Sequence, residues 1–155
     1  MTSLKINDTA PSFAGKDESG KLIQSSDFEG KKYALYFYPK DNTPGCTVQA
    51  CNLRDNYAAL TAEGIAIIGV SMDSEVAHQK FIAKYELPFP LIADTDKQII
   101  ESFGVWGPKK FMGKEYDGIH RTTFVMDEEN KIRGIISKPK TKDHAAEILE
   151  IFNSI

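Results

Sequence analysis

The apolar positions of this chain change period several times, and each change predicts an element. Residues Tyr33-Ala34-Leu35-Tyr36-Phe37-Tyr38 are apolar on both faces, which predicts a strand covered on both sides of a sheet and ended by Pro39. Beyond it, Cys46, Ala50, Leu53, Tyr57 and Leu60 recur at i, i+4, i+7, i+11 and i+14. That spacing makes one buried stripe on a helix running to about Ala62. Residues 65–70 (Ile-Ala-Ile-Ile-Gly-Val) predict a second buried strand, parallel to the first. Asp73 or Ser74 can cap the helix that follows, which turns Val76, Ala77, Phe81 and Ile82 inward until Pro88 and Pro90 stop it. Leu91-Ile92 is a short strand, and Asp94-Thr95-Asp96 opens a brief helix carrying Ile99, Ile100 and Phe103.

The remaining segments are less periodic. Residues 2–30 read as loops and short edge strands punctuated by Gly15, Gly20 and Gly30, with a hairpin around 21–25. Residues 106–118 are rich in glycine and lysine without a clear period, which predicts a long loop of the kind that is functional or mobile. Residues 122–126 and 131–137 form an antiparallel pair joined by Asp127-Glu128-Glu129-Asn130. A last helix over 142–153 buries Ala145, Ile148, Leu149 and Phe152. Strand, helix, strand, helix, then a further helix and an antiparallel pair closed by a final helix is an α/β architecture with a mixed central sheet.

Composition narrows the class. A chain of 155 residues is one domain, 1–155, and can bury roughly 68–70% of its unfolded surface, so it needs no disulfide to hold a core. A net charge of −3 argues against nucleic acid or an anionic membrane as the main partner, and runs such as Lys31-Lys32 and Lys138-Pro139-Lys140 read as solvated surface. No apolar leader and no run of 18 apolar residues is visible, so the expected setting is cytoplasmic and reducing. There a cysteine pair is more often catalytic, redox-active or metal-binding than a structural staple.

Both cysteines fall in one stretch, Pro39 to Cys51, where a strand hands over to a helix. Pro44 suits a first helical position and Thr43 before it is a candidate N-cap. Cys46 then lies in the first turn, facing free backbone N–H groups and the positive end of the helix dipole, surroundings that favour a thiolate. Cys46 is the candidate nucleophile. At about 100° per residue Cys51 sits about 140° around the helix from it. As half of a zinc site the pair would need two further clustered ligands, and His78, His120 and His144 are scattered without ligand spacing and read as solvated or locally bonded.

Pro39-x-x-x-Thr43-x-x-Cys46 resembles the signature of the peroxiredoxins, thiol peroxidases built on a thioredoxin-like fold. The second cysteine, Cys51, five residues on, resembles their Q-type subgroup, the bacterioferritin-comigratory-protein class. Ala10-Pro11-Ser12-Phe13, Gly104-Val105-Trp106-Gly107 and Arg121-Thr122-Thr123-Phe124 are similar to that class as well, so the resemblance covers nearly the whole chain. It implies a thioredoxin-like fold with an N-terminal β extension, and an enzyme that reduces hydrogen peroxide and organic hydroperoxides without a cofactor or metal. It also implies roles. Cys46 would be the peroxidatic thiolate, and Cys51 would resolve its sulfenic acid as a Cys46–Cys51 disulfide. Thr43 would offer its hydroxyl to the peroxide, Pro39 would shield the thiolate, and Arg121 would bring a permanent charge, with the N–H groups of Gly45 and Cys46 binding oxygens. The implied reductant is thioredoxin or glutaredoxin, and the implied state a monomer.

The chemistry itself ranks these roles. A free thiol is only a few per cent ionised at pH 7, so complete ionisation gains at most about thirtyfold. That is small beside typical accelerations of about 10⁶ or more, so groups that orient the O–O bond and stabilise the leaving oxygen must contribute most. Resolution by Cys51 is geometrically demanding. Cα atoms at i and i+5 of a helix are about 8.6 Å apart, beyond the ~7 Å reach of a disulfide, so the first turns must unwind in each cycle. Plainer readings stand beside these: Cys51 as a structural thiol, Arg121 as a surface ion-pair residue, Thr43 as a cap only, and Trp106 as a packed anchor rather than a mouth residue. A thioredoxin-like disulfide reductase is the alternative enzyme, but it wants Cys-x-x-Cys and a proline where this chain has His120-Arg121. A non-enzymatic redox sensor or holdase could use the same cysteines.

Overall fold

The structure, a computed structural model, describes residues 2–155. A small antiparallel pair, β1 (Ala14–Lys16) and β2 (Leu22–Gln24), precedes the central strand β3 (Lys32–Phe37). Helices α1 (Pro44–Asp55) and α2 (Tyr57–Ala62) lead to β4 (Ile65–Ser71), and α3 (Glu75–Tyr85) leads to β5 (Leu91–Ala93). Then follow α4 (Gln98–Ser102), β6 (Trp106–Phe111), β7 (Lys114–Ile119), β8 (Thr122–Met126), β9 (Ile132–Ile136) and α5 (His144–Asn153). The main sheet has the order β5-β4-β3-β8-β9: β3, β4 and β5 are parallel, and β8 and β9 are antiparallel to their neighbours. This is the expected mixed α/β sheet of the thioredoxin type with an N-terminal β extension.

The two-faced apolar strand explains the layers. Alternate residues of β3 feed opposite cores, because side chains in a strand alternate with period two. Tyr33, Leu35 and Phe37 join one buried cluster with Phe13, Phe103 and Phe124. Ala34, Tyr36 and Tyr38 join the other with Cys46, Ala50, Leu53, Phe81 and Ile148, so α1, α3 and α5 lie on that face. Each large apolar side chain buried this way contributes about 1.5–3 kcal/mol relative to exposure.

Three local expectations are corrected. Residues 106–118 are not a loop: β6 and β7 pair throughout, from Trp106 with Ile119 to Phe111 with Lys114. The pattern was hidden because most of these side chains face solvent, so no apolar face marks the strands. The helix expected as far as Ala62 is interrupted at Asn56, whose side chain donates to the Asn52 carbonyl at 2.9 Å. An asparagine amide competes for backbone groups in this way. Val76 points outward, and Ser74 rather than Asp73 caps α3, accepting from the Ala77 N–H at 3.1 Å. Of the two readings of the histidines, His78 and His144 take the locally bonded one: both are fully buried, His78 against Asp41 and His144 against Thr123 and Glu147.

Candidate active site

The β3–β8 pairing builds the site. Phe37 pairs with Thr122 in antiparallel register, so the chain leaving β3 and the residue entering β8 meet at one end of the sheet. The first brings Pro39, Thr43 and Cys46, and the second brings Arg121. Residues 75 apart in sequence thereby come into contact: Arg121 Nη2 donates to Cys46 Sγ at 3.4 Å.

Cys46 is 2% exposed and lies in the first turn of α1, as its position after Pro44 requires. Thr47 N–H is the first to close onto Thr43 carbonyl, at 2.8 Å. The N–H groups of Gly45 and Cys46 therefore precede the first helical bond and lie at the positive end of the dipole. Gly45 has a specific reason to be glycine. A Cβ there would come within 3.2 Å of Arg121 Nη2, so only a bare Cα lets the guanidinium lie this close to the helix start.

Thr43 does not cap α1 with its side chain. Its Oγ1 donates instead to Lys40 carbonyl at 2.8 Å. The hydroxyl proton is committed there, which leaves the oxygen lone pairs free to accept a hydrogen bond from an incoming hydroperoxide. Pro39 is half-buried between the end of β3 and this turn. Cys51 is half-buried on the same helix, and both cysteines are free thiols. Of the sequence-derived set, Cys46 and Arg121 are in direct contact, Thr43 and Pro39 belong to the turn that carries Cys46, and Cys51 stands apart on another helical face.

Sequence reasoning missed Gln49. It is fully buried, one turn after Cys46, and its Oε1 accepts from Arg121 Nη1 at 2.6 Å. The available signal was its spacing: a polar residue at i+3 from Cys46 falls on the stripe that the helix buries. A second missed feature is the network beneath the Pro39–Thr43 turn. Tyr38 Oη donates to Asp41 Oδ1 at 2.5 Å, and His78 Nδ1 lies 2.6 Å from Asp41 Oδ2. His78 Nε2 donates to Ile92 carbonyl at 3.1 Å, and Asp41 N–H donates to Asp73 Oδ2 at 2.9 Å. A carbonyl can only accept, so His78 carries a proton on Nε2 and turns Nδ1 toward Asp41. Burial pushes the Tyr38 phenol well up from its ordinary value, with the Tyr36 phenol and the Asp41 carboxylate adding to the effect. Asp41, Asp73 and His78 offer three ligand atoms within 4.8 Å of one another. Those atoms are engaged with each other and with backbone, and the cluster serves to anchor the turn.

The hairpin β6–β7 stands beside the site. Lys109 Nζ donates to Ile119 carbonyl at 2.8 Å, and His120 Nε2 donates to Pro108 carbonyl at 3.0 Å, tying the hairpin base to the residue before Arg121. Burial pushes the Lys109 ammonium down from the usual lysine range and the charge of Arg121 adds to that, while Cys46 opposes it. Trp106 is an anchor: the Lys97 ammonium sits 4.4 Å above its ring, and it packs on the core.

Known proteins are similar to this chain in sequence and in fold. The pattern of the AhpC/TSA family matches residues 6–135. Peroxiredoxin Bcp of Escherichia coli (strain K12) is 46% identical over 144 residues, 93% of this chain and 92% of that protein. Peroxiredoxin Bcp of Bacillus subtilis (strain 168) is 45% identical over 148 residues, 96% and 94% of the two chains. Among solved structures, the bacterioferritin comigratory protein of Xanthomonas campestris, studied for alkyl peroxide reduction, superposes with a TM-score of 0.87 at 29% identity, covering 99% of this chain and 98% of that one. The chain belongs to the AhpC/TSA family. Within it this is a peroxiredoxin of the Q-type or Bcp class, a thiol peroxidase that takes a peroxide as substrate and depends on a reductant partner.

Proposed function

We propose that Cys46 is the peroxidatic residue and Cys51 the resolving one, in a cycle that reduces hydrogen peroxide and organic hydroperoxides. The observation that carries this is the contact of Arg121 Nη2 with Cys46 Sγ at 3.4 Å, at the free N–H end of a helix. The Cys46 thiolate attacks one peroxide oxygen, the O–O bond breaks, and the other oxygen leaves as hydroxide or alkoxide, with Cys46 left as sulfenic acid. Arg121 favours both the thiolate and the charge growing on the leaving oxygen, and its fork serves the two at once. Thr43 Oγ1 accepts a hydrogen bond from the hydroperoxide O–H, which stays on the oxygen transferred to sulfur, and Pro39 keeps water from the sulfur.

Resolution follows by Cys51. Its thiolate displaces hydroxide from the Cys46 sulfur, forming S–S as S–O breaks, and the hydroxide leaves as water. The reductant in this reading is thioredoxin, with glutaredoxin as the other dithiol protein, and the enzyme works as a monomer. A cytoplasmic setting belongs to the same proposal. Among the described residues no helix is long and apolar enough to cross a membrane.

Peroxide consumption by Cys46→Ser and Cys51→Ser in a thioredoxin-linked assay tests the assignment. Cys46→Ser should be inactive, and Cys51→Ser should complete one rapid turnover and then stop. Sustained turnover of Cys51→Ser at the wild-type rate would remove Cys51 from the resolving role.

A further inference from the structure

Three side-chain polar atoms are sealed from solvent without a hydrogen-bond partner among the described residues: Tyr36 Oη, Gln49 Nε2 and Glu75 Oε1. The first two stand beside Cys46. Tyr36 is 1% exposed and packs in the same buried cluster as Cys46 and Ala50, its ring stacked on Tyr38 at 5.3 Å between centroids. Burial holds its phenol proton in place well above the ordinary range, and the nearby Cys46 adds to that. Gln49 is on α1, one turn from Cys46. Its amide cannot be turned around, because an arginine only donates and the atom 2.6 Å from Arg121 Nη1 must be the oxygen. Its NH₂ group therefore has no acceptor.

A buried polar group without a partner penalises the state that buries it. Both groups lie between α1 and the sheet: Gln49 is buried on α1, and the hydroxyl end of the Tyr36 ring stands over Gly69 of β4 with Cys46 near it. When the first turns of α1 lift off the sheet, water reaches Tyr36 Oη and Gln49 Nε2 together. The penalty thus belongs to the docked helix alone.

We propose that Tyr36 and Gln49 are release residues for the resolving step, biasing the first turns of α1 to leave the sheet once Cys46 is oxidised. The inference rests on the reading of Cys51 as the resolving residue. In the reduced enzyme Arg121 is bound to a thiolate on α1 as well as to Gln49, and the charge-assisted contact keeps the helix down. Oxidation turns the thiolate into a neutral sulfenic acid and weakens that contact. The two unpartnered groups then tip the balance toward the undocked helix, in which Cys51 reaches the Cys46 sulfur, S–S forms, S–O breaks and water leaves.

The test is the rate of Cys46–Cys51 disulfide formation after oxidation by one equivalent of hydrogen peroxide, in wild type and Tyr36→Phe, with the oxidation step timed on the same sample. Phenylalanine keeps the ring and removes the hydroxyl, so resolution should slow by about tenfold, equivalent to about 1.4 kcal/mol. Amide exchange over residues 44–51 of the reduced protein should slow with it. A mere packing defect would loosen α1 and speed resolution, so the sign separates the two. Equal or faster resolution in Tyr36→Phe overturns this inference while the resolving role of Cys51 stands. A wild-type protein that forms no such disulfide overturns both.

Discussion

Gln49 holds Arg121 from the same helix that carries Cys46: the oxygen of Gln49 accepts from one guanidinium nitrogen at 2.6 Å while the other reaches the sulfur at 3.4 Å. The charge at the site is thereby held by two side chains of α1 at once. A guanidinium satisfies both contacts because its donors diverge from one plane; an ammonium is a single point.

Arg121→Lys should therefore lose one contact or the other. Peroxide reduction should fall by about 10²-fold, the usual loss when a donor to a developing oxyanion is removed. Alkylation of Cys46 by iodoacetamide, which needs the thiolate but no such donor, should fall by less than thirtyfold, the ceiling that ionisation sets. Equal losses in the two reactions would refute the role on the leaving oxygen.

Gly45→Ala would be an attractive way to stiffen α1, since alanine favours a helix by up to about 1 kcal/mol. The guanidinium stands in its way, 3.2 Å from the new methyl. The substitution should displace Arg121 by a few tenths of an ångström and slow the first attack on peroxide along with any effect on resolution. Single-turnover oxidation kinetics check this; an unchanged oxidation rate would mean that Arg121 has room to yield.

The unwinding that resolution demands has a built-in limit. Asn52 Nδ2 donates to Lys142 carbonyl at 2.7 Å, and its Oδ1 accepts from Ala145 N–H at 2.8 Å, clamping the middle of α1 to the start of α5. Amides of residues 44–51 should be protected from exchange in the reduced protein and lose protection in the disulfide form, while those beyond 52 stay protected in both. Asn52→Ala should cost about 1 kcal/mol of stability and let the loss of protection spread past 52. Equal protection across 44–51 in both redox states would end the unwinding mechanism.

His144 gives a pH dependence to stability. Burial lowers its pKa from 6.5, against the opposing pull of Glu147, so the folded protein holds it neutral. Nδ1 then donates to Glu147 Oε1 at 3.0 Å and Nε2 accepts from Thr123 Oγ1 at 2.8 Å. Below pH ~6.5 the unfolded chain binds a proton that the folded one resists, so this contribution is full above that pH and is lost as pH falls through it. The melting temperature should drop between pH 7 and 5 more steeply in wild type than in His144→Gln, as thermal scans across that range can measure.

The local signals were strong where burial is periodic. The two-faced run from Tyr33 to Tyr38, the stripe from Cys46 to Leu60 and the Pro39–Thr43–Cys46 spacing are each set by neighbours in the chain, and the central strand β3 and the first turn of α1 form where they predict. The hairpin β6–β7 gave no such signal, because its strands present mostly solvated side chains and pair only with each other.

By itself the sequence determined most of the elements that local periodicity encodes, the place of Cys46 at a helix start, and the candidates for thiolate, resolving thiol and cation. Only the tertiary structure decided which of them meet. That Arg121 touches Cys46 follows from β8 running antiparallel to β3, that Gln49 rather than solvent receives the guanidinium follows from the burial of that helical face, and that Asp41 is locked to His78 follows from α3 crossing behind the turn. These are contacts between residues 37 to 75 positions apart, and no local period in the chain encodes a distance of that kind.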